Sequence, residues 1–523
     1  MSTLLRGQLH LLVILFCSLG CIFNCLGTGL YINRIAGDST IQLHINPDIT
    51  HQTIRHFGAS DTWSCQFVGK WPDAKKNAIA DLLFSNEPLA TGGLKGIGLS
   101  LWRFNVGSGS TEQGDASGIK DDWRRTESFR KADGTYDWDK QAGQLWFMSA
   151  AKTRGVNEFL IFPNTPPVHL TVNGKSYASN GQPNLKPGQF GDFSNFLADI
   201  VDGIRNRTGI TFQYISPINE PQWDWSHAGQ EGTPFLNDHV ASVTSSLSAA
   251  LLKRKLPTQI VVAEAAQIDY LYSDFGMPAR GTNIYTFFDK NSAHYLGSLP
   301  NLHPVISGHS YLTTSPFELS EIKRKQLASA VKKVPGLDYW MTEYCVLGDN
   351  EGEIKGEGRD LTIHTALYVA RVIHNDLANA NASAWHWWLA VSPYDYKDGL
   401  VYIDKNKENG SFQTSKMLWA LGNFSAFIRP GAVRIELSGL PGNPDLLASS
   451  YKNTTGEIVT VLVNSGTEKV NVNLALPAGK LQDVKQYETS ADKDLVQTQI
   501  LKEGNNLTIN AKSIVTVIGK IHP

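Results

Sequence analysis

Two carboxylates stand out by where they fall in the chain. Glu220 closes the run Tyr214-Ile-Ser-Pro-Ile-Asn-Glu220, and Glu343 closes Asp338-Tyr-Trp-Met-Thr-Glu343. Each follows a short apolar stretch of strand character. Glu is rarely buried without a partner or a task, so two at equivalent strand ends are informative. A facing pair of carboxyl groups suits hydrolysis of a glycosidic bond: one group donates a proton to the leaving oxygen, the other attacks the anomeric carbon as an anion. Burial and mutual repulsion can separate their pKa values enough for both roles. A separation of about 5–5.5 Å would imply a covalent intermediate and retained configuration.

Such a pair needs a scaffold that brings distant strand ends together. The strand candidates are 56–60, 98–104, 158–162, 213–218, 259–263, 305–310, 338–341 and 383–389. Helical patterns fall between most of them, at 74–84, 138–152, 192–205, 237–252, 318–332 and 362–377, with one more at 415–428 after the last strand. This alternation predicts an α/β fold, a (β/α)8 TIM barrel over residues 54–429 whose functional groups sit at the C-terminal strand ends. An open doubly wound sheet is the competitor, but no Gly-rich dinucleotide fingerprint follows the first strand. From residue 430 to 523 short β-rich runs separated by turns predict a β-sandwich. Residues 28–53 have the same texture, with alternation over Thr40-Ile-Gln-Leu-His-Ile45 and Pro47 as the expected stop. They are expected to add N-terminal strand to the same sandwich, so that both chain ends build the smaller domain.

Composition narrows the function. The chain has 523 residues, 47 Lys+Arg against 49 Asp+Glu, and 41% hydrophobic residues. That balance does not suit a nucleic-acid partner. Thirteen Trp are compatible with platforms for sugar rings. Residues 1–27 carry Arg6 and the apolar run Leu11-Leu-Val-Ile-Leu-Phe16, which predicts a secretory signal. Leu19-Gly20-Cys21 is a loose lipoprotein-type match. The expected location is therefore secreted or cell-surface, with membrane attachment only through a lipidated N-terminus. Cys65 and Cys345 lie outside that segment, and spacing leaves their pairing open. No His-X-His or similar cluster ends a strand, so neither a metal nor another cofactor is expected. Oligomeric state stays open.

The motifs together resemble clan A glycoside hydrolases, and most closely glycoside hydrolase family 30. Ile218-Asn-Glu-Pro221 and Thr342-Glu-Tyr344 carry the resemblance. Trp102-Arg-Phe-Asn105, Thr165-Pro-Pro167, Gly308-His-Ser-Tyr311 and Leu421-Gly-Asn-Phe-Ser-Ala-Phe-Ile-Arg-Pro430 extend it over roughly residues 30–523. The resemblance implies a barrel fused to a side sandwich, with Glu220 as acid/base and Glu343 as nucleophile. It places Asn219 at the sugar 2-hydroxyl and Arg103 as the cation that orients Glu343. Asn105 belongs to the same motif as Arg103 and is expected to contact substrate. His309 and Tyr311 are expected to position the nucleophile or a hydroxyl. Trp63, Trp223 and Trp225 are candidate sugar platforms. In Trp385-His-Trp-Trp388, alternation puts Trp385 and Trp387 on one face, and Trp387 is expected to line the site.

The substrate is read from finer similarity. Asn219-Glu-Pro-Gln-Trp223 followed by Gly229-Gln-Glu-Gly232, and Thr165-Pro-Pro-Val-His-Leu-Thr-Val-Asn-Gly174, look most like the endo-β-1,6-galactanase branch. Glu231 is expected to accept a hydrogen bond from a galactose hydroxyl. The expected substrate is the β-1,6-galactan side chain of arabinogalactan. A β-1,6-glucanase, a xylanase, a glucosylceramidase-type hydrolase and a non-catalytic glycan-binding barrel remain alternatives.

Overall fold

The short apolar runs become eight parallel strands that close on themselves. The computed structural model describes residues 40–503 and 505–522. The expected signal segment and residues 28–39 lie outside these. Barrel strands 1 to 8 are His56–Ser60, Leu101–Val106, Glu158–Pro163, Tyr214–Ile215, Gln259–Ala265, Leu302–His309, Asp338–Tyr344 and Ala382–Ser392. Each pairs in parallel with the next, and strand 8 pairs with both strand 7 and strand 1, which closes the barrel. Most are buried along their whole length, as expected for parallel strands covered on both faces. Strand 4 pairs over only two residues. Pro217, just beyond it, has no N–H to offer the ladder.

Long helices follow strands at Asp73–Phe84, Ala142–Thr153, Phe190–Thr208, Asn237–Lys253, Phe317–Lys332, Ile363–Ala378 and Lys416–Ser425. Between strands 5 and 6 there are only the short helices Asp269–Tyr272 and Asn283–Phe288. Gly276, Pro278 and Gly281 interrupt that stretch, which explains why no long helical pattern appeared there. No helix among the described residues is long and apolar enough to cross a membrane.

The remaining strands form one nine-stranded sheet that folds over its own core. Leu43, Ile45, Ile435, Leu462, Val472 and Val515 meet in that core. The N-terminal strand Ile41–Thr53 lies inside the sheet, antiparallel to Val433–Ser438 and parallel to Val470–Ala475. The strand does not stop at Pro47. The register breaks between Asn46 and Thr50 instead, so the residue without an N–H sits in a bulge and pairing resumes beyond it. A strand absent from the sequence reading, Val496–Glu503, pairs with Lys480–Thr489 at one sheet edge. Barrel and sandwich are joined by polar bonds as well as apolar contact. Asn423 Nδ2 donates to Thr516 Oγ1 at 2.9 Å, and the Thr516 hydroxyl donates to the Asn423 carbonyl at 2.7 Å.

Candidate active site

The ends of strands 2, 4, 5, 6 and 7 bring five charged side chains into one buried cluster. Glu343 ends strand 7 next to its ladder partner His309 on strand 6. Arg103 rises from strand 2, its guanidinium 3.7 Å from the Phe162 ring centroid. Glu220 follows strand 4 with φ of 44°, in the left-handed region that non-glycine residues seldom occupy. That turn is pinned: the Glu220 N–H donates to the Glu264 carbonyl at 2.9 Å, and the Glu220 carbonyl accepts from Trp225 Nε1 at 3.0 Å.

Both oxygens of Glu343 are held. Arg103 Nη1 donates to Oε2 at 2.5 Å and the Tyr311 hydroxyl donates to Oε1 at 3.0 Å. Arg103 Nη2 also reaches Asn219 Oδ1 at 3.2 Å and Glu264 Oε2 at 3.1 Å. His309 bridges two carboxylates, with Nδ1 2.8 Å from Glu220 Oε1 and Nε2 2.9 Å from Glu264 Oε2. Oxygens of Glu220 and Glu343 and a ring nitrogen of His309 lie within 4.8 Å of one another.

The electrostatics sort the carboxyl groups. Burial drives Glu220 above the usual carboxylate range, with the Glu343 charge adding to the rise, while His309 opposes it. Glu264 is buried too, but Arg103 and the His309 hydrogen bond outweigh that and pull it down to about 2. Burial works against a charged His309, yet Glu343, Glu220 and Glu264 push it up to about 10. Three carboxyls therefore face two cations, and the cluster is neutral when Glu220 alone keeps its proton. With His309 charged, both ring nitrogens donate, and a metal ion beside Glu220 and Glu343 would have to displace a proton from the ring.

A cavity of about 400 Å³ opens onto the pair. Of the expected residues, Glu220, Glu343, Asn219, Tyr311, Trp63, Trp223 and Trp225 line it. The others do not touch it. Arg103 and His309 are fully buried and act on the carboxylates rather than on substrate. Asn105 is also fully buried; its side-chain amide donates to the Phe162 carbonyl at 3.4 Å, and its backbone N–H donates to Asp61 Oδ1 at 2.8 Å. Trp387 points outward, its indole N–H on the Asp398 carbonyl at 2.7 Å. Its neighbour Trp388 faces the cavity and packs edge-on against Trp63. Glu231 is neither a sugar contact nor a solvated charge. It is buried and accepts from the hydroxyls of Ser108, Ser110 and Thr126, and burial raises its pKa to about 7. It ties the loop after strand 4 to the loop after strand 2. Cys65 and Cys345 are free and buried.

Glu264 escaped the sequence reading by one residue, because the strand was ended at Ala263. Its signal is the one that marked Glu220 and Glu343, a carboxylate closing an apolar run. Arg124, Trp388 and Asp398 also line the cavity without having been singled out.

The loop after strand 4 leaves little room. A Cβ on Gly232 would lie 2.1 Å from the Trp225 ring, and Trp225 both lines the cavity and holds the Glu220 turn. Gly232→Ala is expected to displace Trp225 and lower kcat/KM by about tenfold or more, as measured by steady-state kinetics. Wild-type kinetics would mean that the ring position is not critical.

The chain matches two known sequence families. The pattern of O-glycosyl hydrolase family 30 covers residues 40–402, and that of the glycosyl hydrolase family 30 β-sandwich domain covers residues 431–517. The chain belongs to glycoside hydrolase family 30. It is accordingly an O-glycoside hydrolase. Among family relatives, an endo-β-1,6-galactanase of Hypocrea rufa is 24% identical over 459 residues, 84% of each chain. A glucuronoxylanase of Bacillus subtilis is 24% identical, over 70% of this chain and 73% of its own. Among solved structures, a conserved exported protein of Bacteroides fragilis has a TM-score of 0.84 at 33% identity, covering 91% of this chain and 99% of its own. The catalytic domain of a family 30 xylanase of Talaromyces cellulolyticus has a TM-score of 0.68 at 21% identity, covering 92% and 100%.

Proposed function

We propose that the protein is a retaining endo-β-1,6-galactanase. The observation that carries the retaining mechanism is the approach of the Glu220 and Glu343 carboxyl oxygens to within 4.8 Å. That matches the spacing of about 5–5.5 Å used for double displacement and is short of the about 6.5–9.5 Å that leaves room for an attacking water. In the first step Glu343 attacks the anomeric carbon while Glu220 gives its proton to the departing glycosidic oxygen. The products are a glycosyl ester on Glu343 and a free sugar hydroxyl. In the second step the Glu220 carboxylate takes a proton from water, and the resulting hydroxide breaks the ester at the anomeric carbon. Asn219, held by Arg103, is placed to bond the 2-hydroxyl of the reacting sugar.

Galactan is preferred because of the match to the Hypocrea rufa enzyme and the two local motifs around Thr165 and Asn219. Glu231 does not contribute to this choice, since it is fully buried and does not line the cavity. Endo action is supported by Trp223, which is 47% exposed at the cavity rim and offers a ring face to a sugar beyond the reacting pair. Export by the N-terminal segment is part of the same reading.

The test is a product profile on debranched β-1,6-galactan, glucuronoxylan and β-1,6-glucan. A ladder of galacto-oligosaccharides is the expected result. Activity confined to another glycan would keep the mechanism and replace the substrate. The raised Glu220 pKa also sets the pH behaviour. Glu220 is the proton donor, so kcat/KM is expected to hold above the ordinary carboxylate range and to fall on the alkaline side as that proton is lost. Glu220→Ala is expected to remove this alkaline limb. A limb that persists in the variant would assign the proton to another group.

A further inference from the structure

Glu264 is fully buried and every direction around its carboxylate is occupied. The Ser216 hydroxyl donates to Oε1 at 2.6 Å. Arg103 Nη2 at 3.1 Å, His309 Nε2 at 2.9 Å and the Thr342 hydroxyl at 2.8 Å all meet Oε2. Its backbone is tied as well, with the N–H on Ser307 Oγ at 3.0 Å and the carbonyl accepting from the Glu220 N–H at 2.9 Å. No substrate atom can reach it, so whatever it does for the reaction passes through its neighbours.

We propose that Glu264 is a positioning residue: as the buried anion on His309 Nε2 it holds the ring as an imidazolium, so that Nδ1 donates to Glu220 Oε1 and the transferable proton stays on Glu220 Oε2. This rests on the acid/base reading of Glu220. An oxygen that accepts from His309 at 2.8 Å is not the one that carries the acid proton. Once Glu220 has given up that proton, the imidazolium already faces the new carboxylate. Glu264 stays ionised throughout and balances Arg103 and His309. The other titratable groups that face it are Tyr339 and, on strand 8, His386, which burial drives down to about 3 and so leaves uncharged, while Glu343 and Tyr311 meet each other on the far side of Arg103. Asp61 lies beyond Arg103 and is raised by burial to about 8.

Glu264→Gln keeps the shape and removes one negative charge. The His309 cation and the Glu220 acid should then both release protons more readily. The alkaline limb of kcat/KM is expected to move down by about one pH unit. kcat should fall about 100-fold, with KM changed by less than about threefold. Thr342→Val removes a neutral hydrogen bond to the same oxygen and is expected to leave the limb in place. An unmoved limb in Glu264→Gln, a loss confined to KM, or an equal shift in Thr342→Val would overturn the proposal. If Glu264→Gln does not fold, the wild type still decides. With 15N-labelled histidine, and His309 assigned by His309→Gln, the ring is expected to be doubly protonated at pH 8; a neutral ring overturns the proposal. Glu220→Ala measured alongside separates the two readings. If it keeps wild-type activity and its alkaline limb, the acid/base assignment fails and the proposal falls with it. If it loses both while Glu264→Gln keeps the limb, only the role of Glu264 is wrong.

Discussion

Glu343→Gln is expected to reduce kcat by about 10⁴-fold or more, the scale of loss when a nucleophile is removed from a site that otherwise still binds. The geometry also predicts a cost to folding. Arg103 Nη1 and the Tyr311 hydroxyl both donate to Glu343, and an amide can accept at only one of its two ends. With the amide oxygen on Arg103, its N–H₂ can donate to the Tyr311 hydroxyl, but the buried guanidinium loses an ionised partner, costing about 1–3 kcal/mol. Kinetics and thermal unfolding should therefore both change, with the kinetic loss far larger than the fraction unfolded. Undiminished product from the variant would remove Glu343 from the mechanism. A variant fully folded at assay temperature and inactive would establish that the loss is chemical. A 2-fluoro sugar matched to the true substrate should label wild type at Glu343.

Replacing Arg103 is expected to be the most destabilising single change in the site. Arg103→Met leaves Glu264 and Glu343 buried without the cation that both contact. Breaking a buried ion pair from one side costs about 3–5 kcal/mol. Activity should fall as well, because Glu343 and Asn219 lose the donor that orients them. Arg103→Lys should recover only part of this, since an ammonium cannot span three acceptors as the guanidinium fork does. The penalty should depend on pH with a defined sign. The folded-state pKa of Glu264 is depressed to about 2, so its share of stability is present above the unfolded carboxylate range and is lost as pH falls toward 2. The difference between wild type and Arg103→Met should therefore shrink on acidification from about pH 5 to about pH 3. Urea unfolding across that range measures it. A gap that widens would mean that the two carboxylates are not the source of the penalty.

The parts of the site visible from sequence were those written in local patterns. Apolar runs that end in carboxylates led to Glu220 and Glu343, and the fold that joins them followed from the alternation of strand and helix. The failures have physical reasons. Period-two alternation correctly paired Trp385 with Trp387, but parity cannot say which face turns inward. The choice depends on His386 and Trp388 filling the barrel interior while Trp385 bonds to Asp376 on the helix Ile363–Ala378. Burial of Glu231 rests on three hydroxyls more than 100 residues away in sequence, and no local window contains them. Asn105 alternates with Arg103 along strand 2, yet its side chain is fully buried with its amide on the Phe162 carbonyl of strand 3, a partner that no local window contains. Pro47 was a sound stop for a regular ladder and became a bulge because the sheet offered partners on both sides.

The interior place of Ile41–Thr53 in the sandwich also constrains biosynthesis. The strand is among the first described residues to be translated, but its neighbours begin at Val433 and Val470. At about 5–20 residues per second, its pairing edges wait about 20–80 s for the first of them. During that interval Leu43 and Ile45 have no sheet core to enter, and the nascent barrel must assemble with an unpaired strand at its head. The later-synthesised sandwich is thus also the domain that retrieves the beginning of the described chain, so a chain cut off between Ser425 and Val433 would hold a barrel with an open, adhesive strand.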